Sequence, residues 1–179
     1  ALYANTTGTT NTALGSVALT ANTTGDGNVA IGSEALDANT TADGNVAIGF
    51  RALSANTTGG DNVGIGEAAL EDNTTGTLNT AVGFRALAAN ITTNNCTAIG
   101  YAALEVSVAT SNTAVGTYAG TGITTGANNL VLGYEAAQSG SPGGTVTTGS
   151  NQICLGDENV TNAHIQVDWT IASDARDKT

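Results

Sequence analysis

The run Asn28-Val29-Ala30-Ile31-Gly32-Ser33-Glu34-Ala35-Leu36-Asp37-Ala38-Asn39-Thr40-Thr41 returns as Asn45-Val46-Ala47-Ile48-Gly49-Phe50-Arg51-Ala52-Leu53-Ser54-Ala55-Asn56-Thr57-Thr58. The opening five residues also occur as Asn11-Thr12-Ala13-Leu14-Gly15, Asn62-Val63-Gly64-Ile65-Gly66, Asn79-Thr80-Ala81-Val82-Gly83 and Cys96-Thr97-Ala98-Ile99-Gly100, with closing glycines 17 apart. A step of 16 leads to Asn112-Thr113-Ala114-Val115-Gly116, one of 17 to Asn129-Leu130-Val131-Leu132-Gly133, and one of 23 to Gln152-Ile153-Cys154-Leu155-Gly156. A period this short and this regular marks a solenoid, in which each repeat stacks on its neighbours.

Each unit carries a second apolar piece. Leu2, Leu19, Leu36, Leu53, Leu70, Leu87 and Leu104 form one column, followed three residues later, as far as Asn90, by Asn-Thr-Thr or Asn-Ile-Thr. Neither piece is long enough for a helix, and β-branched residues alternating with Asn, Ala and Gly suit short strands. The spacing predicts two short strands and two turns per 17-residue coil. The fold class is therefore all-β, a parallel β-solenoid whose equivalent residues stack about 4.8 Å apart. The repeat occupies residues 1–137, and the insertion 138–150, with the lone proline Pro142, reads as an outward loop. Residues 151–172 hold the last coil and a C-terminal strand region, and 173–179 a charged end.

Alternation assigns the faces. Val29 and Ile31 project to one side, Asn28, Ala30 and Gly32 to the other, and so narrow a coil has room inside only for small groups. A stripe of Val, Ile and Leu is then left uncovered, which predicts a parallel homo-oligomer closed around an axis. Composition agrees: Leu, Ile, Val and Phe together make up about a fifth of the chain, Ala is the commonest apolar residue and aromatics are 4%, too little bulk for a conventional globule. Fifteen acidic against four basic residues give a net charge of −11, which repels phosphates and argues against nucleic acid or anionic membrane as partners. No apolar run approaches the roughly 20 residues of a bilayer span, so no membrane insertion is expected. Cys96 and Cys154 fit neither a disulfide framework nor a zinc site, and no metal or cofactor is expected. The repeat is already under way at Ala1, as in an excised fragment.

Stacking turns columns into ladders. Asn11, Asn28, Asn45, Asn62 and Asn79 form one, and Asn22, Asn39, Asn56, Asn73 and Asn90 another; amides at strand spacing can hydrogen-bond along the axis, so both read as structural. The sequons beginning at the second ladder read as incidental. After each glycine come Ser16, Ser33, Phe50, Glu67, Phe84, Tyr101, Thr117 and Tyr134. Phe84 and Tyr101 fall on adjacent coils, with Phe50 and Tyr134 on the same line, a candidate surface for stacking sugars. Glu34 and Arg51 in the next column are placed to pair across coils as a register aid. Asp37, Glu71 and Glu105 share a column on alternate coils, at a separation compatible with an inverting glycosidase pair. The Thr-Thr columns raise ice binding, but Thr23 and Thr24 are adjacent and do not make a flat double row. Cys96 stands at an Asn position and Cys154 at an Ala position.

Units of the form Asn-x-Ala-Ile/Val-Gly-x-x-Ala-Leu resemble those of YadA-like heads, the trimeric left-handed β-rolls of trimeric adhesins and phage tail fibres. The resemblance covers residues 1–137 and implies left-handed coils in a homotrimer, intertwined or side by side. The end, Ser173-Asp174-Ala175-Arg176-Asp177-Lys178, resembles the junction that opens the intramolecular chaperone of endosialidase-type tail spikes. That likeness implies Ser173 as nucleophile, Lys178 as its base and the Ser173-Asp174 bond as the one cut, in the precursor alone. Together the two likenesses imply a non-enzymatic structural or receptor-binding segment of a phage tail fibre in the extracellular virion tail. Its partners would be a bacterial surface glycan or protein and other tail proteins. Two alternatives are the head of a trimeric autotransporter adhesin on the bacterial cell surface and a polysaccharide-degrading tail spike acting through Glu71 and Glu105.

Overall fold

The computed structural model describes residues 1–138 and 145–161. Nine three-residue strands make one parallel sheet in chain order: β1 (Thr12–Leu14), β2 (Val29–Ile31), β3 (Val46–Ile48), β4 (Val63–Ile65), β5 (Thr80–Val82), β6 (Thr97–Ile99), β7 (Thr113–Val115), β8 (Leu130–Leu132) and β9 (Ile153–Leu155). Register follows the repeat, Val29 on Val46, Ala30 on Ala47 and Ile31 on Ile48, and it survives both the 16-residue and the 23-residue steps. No helix occurs among the described residues. The molecule is an all-β parallel solenoid with 17-residue coils.

Each coil has one strand, not the two expected. The second apolar piece is a pair of turns in which alternate residues are left-handed: Glu34 at φ 59° and Leu36 at φ 50°, Arg51 at 57° and Leu53 at 53°. Left-handed backbone costs an L-residue about 1–2 kcal/mol. It persists here because it swings Leu36 and its equivalents inward. Leu19, Leu36, Leu53, Leu70, Leu87 and Leu104 are completely buried, and full burial of a leucine returns about 2–3 kcal/mol. As far as Leu104 the interior therefore holds a leucine per coil as well as the small groups expected.

Sidedness agrees with the alternation. Ala30, Ala47, Ala81, Ala98 and Ala114 at the strand centres are buried, while Val29 and Ile31 and their equivalents lie at least partly in solvent. The strand ends at a glycine that nothing can replace: Gly49 sits at φ +136°, and a Cβ there would stand 2.5 Å from the Gly66 carbonyl of the next coil.

The two columns of the interior exchange roles part-way along. From Asn22 to Asn90 a buried Asn accompanies the buried Leu, and Ser107 accompanies Leu104; then Gly120 takes the Leu place and Ile123 the Asn place, both buried, and Val146 follows Ile123. Lost leucine volume is refilled from the neighbouring column, which keeps the core close-packed. Of the residues of the insertion, Val146 onward rejoin the ladder: Thr147 accepts the Thr124 N–H at 2.8 Å and Gly149 the Asn129 carboxamide at 2.9 Å. Pro142 lies outside the described residues.

Polar groups inside are paired across coils. Asn62 donates Nδ2 to the Gly76 carbonyl at 2.8 Å, and its Oδ1 accepts the Asn79 backbone N–H at 3.0 Å. The same two bonds recur at Asn28 and Asn45. Asn39, Asn56 and Asn73 each pass Nδ2 to the Oδ1 of the Asn one coil back. Asn62→Ala strands a donor and an acceptor in the interior and is expected to cost roughly 2–4 kcal/mol. A lower urea midpoint at unchanged m-value is the measurement.

Candidate functional site

The corner that follows each strand carries the large and charged side chains. Gly49 turns the chain through a conformation only glycine reaches, and Phe50 and Arg51 leave the corner exposed. Stacked corners make a stripe along the solenoid. Within it Phe84 and Tyr101 stack with centroids 5.0 Å apart and planes 17° from parallel. Tyr118, from the neighbouring column, meets Tyr101 edge-on at 5.1 Å and 73°. The expected stacking is present, with a consequence for ligands: Phe84 and Tyr101 each turn one face to the other, so that face is closed to an incoming sugar. Phe50 and Tyr134, 46% and 56% exposed, have no ring partner among the described residues and keep their faces free. Glu135 beside the Tyr134 hydroxyl raises its pKa, and the Tyr101 hydroxyl does the same for Tyr118.

Charges cross the corners diagonally. Arg51 lies 3.5 Å from Glu34, the expected partner, and 2.7 Å from Glu71, which is closer; Arg85 donates to Glu105 at 2.6 Å. Arg51 to Glu71 and Arg85 to Glu105 each span one coil plus one further turn. That spacing is present in the sequence, as is the Tyr118 neighbour, but neither follows from the straight columns. Such half-exposed pairs contribute about 0–1 kcal/mol each. Glu71 and Glu105 are thus each held by an arginine.

Asp37, third member of that acidic column, has Val17 where the arginine would stand, one coil and a turn earlier. Its Oδ1 is buried without a hydrogen-bond partner. It lines a shallow depression of about 240 Å³ with Glu34, Arg51, Ser54 and Glu71. Burial pushes this carboxyl above its ordinary value near 3.8, with Glu34 adding to the rise and Arg51 opposing it.

No family model matches the chain, nor does any curated protein or solved structure. The reading of this surface therefore rests on its own geometry. Ser173 and Lys178 lie outside the described residues. Among the described residues no group of three metal-binding side chains gathers, and no helix is long and apolar enough to cross a membrane. Thr23, Thr40 and Thr57 spend their hydroxyls on carbonyls of the next coil at 3.0–3.1 Å. The sequon residues Asn22, Asn39, Asn56, Asn73 and Asn90 are fully buried, out of reach of a modifying enzyme in the folded chain.

Cys96 works as a reduced copy of the Asn it replaces. Its Sγ donates to the Ala109 carbonyl at 3.2 Å, and burial raises the thiol pKa, as it does at half-buried Cys154. The Asn112 N–H meets sulfur where other coils offer a carboxamide oxygen. Cys96→Asn restores that oxygen and is expected to stabilise by about 0.5–1.5 kcal/mol, seen as a higher urea midpoint.

Asp37 yields a prediction with a definite sign. A carboxyl whose pKa is raised by folding binds its proton more tightly in the native state, so it destabilises above the unfolded pKa and ceases to do so below it. Asp37→Asn should raise the unfolding midpoint at pH 7, and the gain should vanish by pH 3. A gain of equal size at both values would mean that ionisation is not its cause.

Proposed function

We propose that the chain is a structural and receptor-binding segment of a trimeric phage tail fibre, of the YadA-like head type, that contacts the bacterial host surface. One observation carries the reading: the outward face of the sheet ends every strand in an apolar residue that the chain itself covers only in part. Leu14, Ile31, Ile48, Ile65, Val82, Ile99, Val115, Leu132 and Leu155 form an unbroken ladder, every rung at least partly in solvent, with 67% exposure at Leu14 and 44% at Leu155. Nine rungs extend it to roughly 40 Å, longer than a soluble chain leaves open. Three copies closed around an axis would cover it.

Assembly in that sense makes a stiff rod, since every internal coil is hydrogen-bonded on both sides. The corner stripe with Phe50, Phe84, Tyr101 and Tyr134 is then the surface offered to a bacterial glycan or protein receptor, with Phe50 and Tyr134 presenting the free ring faces. The net charge of −11 favours neutral receptors over anionic ones. Other tail proteins would join along the axis. Ser173 and Lys178 would act once, in releasing a chaperone from the precursor. Residence in the extracellular virion tail follows from the same proposal.

Equilibrium sedimentation tests the assembly: the expected mass is three times the 17.5 kDa chain. A stable, folded single chain in dilute buffer would overturn the proposal. Ile48→Asp with Ile65→Asp places two charges on the ladder without touching the interior and is expected to abolish the three-chain species. Binding of the labelled assembly to bacterial cells should fall on Phe50→Ala with Tyr134→Ala while its mass stays unchanged.

A further inference from the structure

The last two strands border a depression of about 350 Å³, larger than the one at Asp37 and opposite to it in character. Ser111, Thr113, Asn128, Asn151 and Gln152 line it over Leu130 and Ile153, and no charged residue takes part. In a chain of net charge −11 that neutrality distinguishes the place. The other depression is lined by Glu34, Asp37, Arg51, Glu71 and Asp72.

Its polar groups are aimed and unspent. Asn128 Nδ2 donates to Asn151 Oδ1 at 2.8 Å, which fixes the two carboxamides end to end. That bond leaves open an acceptor, Asn128 Oδ1, and a donor, Asn151 Nδ2, neither with a partner among the described residues. The Ser111 and Thr113 hydroxyls and the Gln152 carboxamide likewise have none there. Asn129, by contrast, is used up: it donates to the Gly149 carbonyl at 2.9 Å and accepts the Gln152 N–H at 2.9 Å. That ladder holds the floor rigid beneath the open groups. The floor itself is more apolar than its neighbours. β5, β6 and β7 begin with Thr80, Thr97 and Thr113, whereas β8 and β9 begin with Leu130 and Ile153, the latter 56% exposed.

We propose that this depression is a binding subsite for a neutral acetamido sugar. An acetamido group carries one N–H and one C=O, the complement of the open acceptor on Asn128 and the open donor on Asn151. Its methyl and the C–H face of the ring suit Leu130 and Ile153, and the ring hydroxyls suit Ser111, Thr113 and Gln152. Pockets of this volume, with an apolar floor and a few convergent polar groups, are the ordinary form of a small-ligand site. The subsite lies apart from the aromatic corner and stands whether or not that corner binds a receptor. Its floor residues Leu130 and Ile153 share the outward sheet face with Leu132 and Leu155, so it is the part of that face beside the third-position ladder that has to stay open in the assembly.

Saturation-transfer NMR of the full chain with N,N′-diacetylchitobiose tests it. The acetamido methyl should show the strongest saturation, and the side-chain amide signals of Asn128 and Asn151 should shift saturably. Cellobiose, without acetamido groups, should bind at least about tenfold more weakly. Asn151→Asp keeps the acceptor for Asn128 and the turn-compatible side chain but removes the open donor; it should weaken binding by about tenfold, as should Gln152→Ala with Thr113→Val. Sedimentation and circular dichroism of the same samples establish that the variants keep their fold and mass. No saturable shift, binding within twofold in both variants, or equal binding of cellobiose would overturn the assignment, while sedimentation of the same samples reads the assembly of the fibre separately.

Discussion

In the regular coils each buried carboxamide of the strand-side ladder must find its partners 14 and 17 residues on, and that requirement sets the period. Asn28 donates to Ala42, 14 residues on, while its oxygen accepts from Asn45, 17 residues on. Slip the register by one residue and both bonds fail together at every coil. Each orphaned interior group costs about 1–3 kcal/mol, whereas the alanine methyls lining the strand contribute less than about 1 kcal/mol apiece. Hydrophobic burial compacts the coils; the amide ladders decide which residue lies above which. The 17-residue repeat is therefore a polar specification as well as an apolar one, and a chain with few large side chains can still have one fold.

Much of this is legible in the repeat. Strand positions, their parallel in-order pairing, the inner place of Ala and Asn and the outer place of Val29 and Ile31 all follow from column and alternation. The second strand does not. Leu36 and its equivalents look like strand residues by type, but they adopt left-handed backbone because burying leucine outweighs the steric cost of the turn. Propensity describes a residue in an average context, and here tertiary burial reverses it. Pairs are legible along columns and illegible across them. Glu34 with Arg51 follows from a column; Arg51 with Glu71 and Tyr101 with Tyr118 do not, because long side chains reach diagonally. Within the aromatic column Phe84 and Tyr101 do stack, but stacking along the axis spends one face of each ring.

Where the period breaks, the interior shows what it tolerates. Gly120 empties the leucine column and Ile123 fills the asparagine column in the same coil, so volume is conserved while chemistry is not. The Asn22-type ladder gives out before that point: Asn73 Oδ1 is left without a hydrogen-bond partner just before Asn90, whose oxygen turns instead to Thr93. The Asn28-type ladder, in contrast, continues through Asn112 and Asn129 to the Gln152 N–H. Of the two, only the second binds strand to strand, and it is the one that both the 16-residue and the 23-residue steps respect. Changes of composition are confined to places where a group of similar size can be supplied by a neighbour. The surface, free of that condition, holds the chemistry that varies: the charged corner near Arg51, the aromatic one near Tyr101, and the neutral depression beside Asn128.

The outer face of the sheet obeys neither rule. Its first strand position accepts Thr in four strands, at Thr12, Thr80, Thr97 and Thr113, so an outward polar side chain is compatible with the strand. Its third position never does: all nine residues there are Leu, Ile or Val. Nothing inside the coil requires this, because the side chains point away from the core and threonine would serve the strand as well. The preference is one-sided, confined to a single column and continuous over the whole sheet. In the proposed assembly a requirement from outside the chain would account for it, met by a covering surface that runs parallel to the axis for the same length, with the same spacing. Another copy of this polypeptide has that length and spacing by construction, which is why the proposed assembly is built from identical chains.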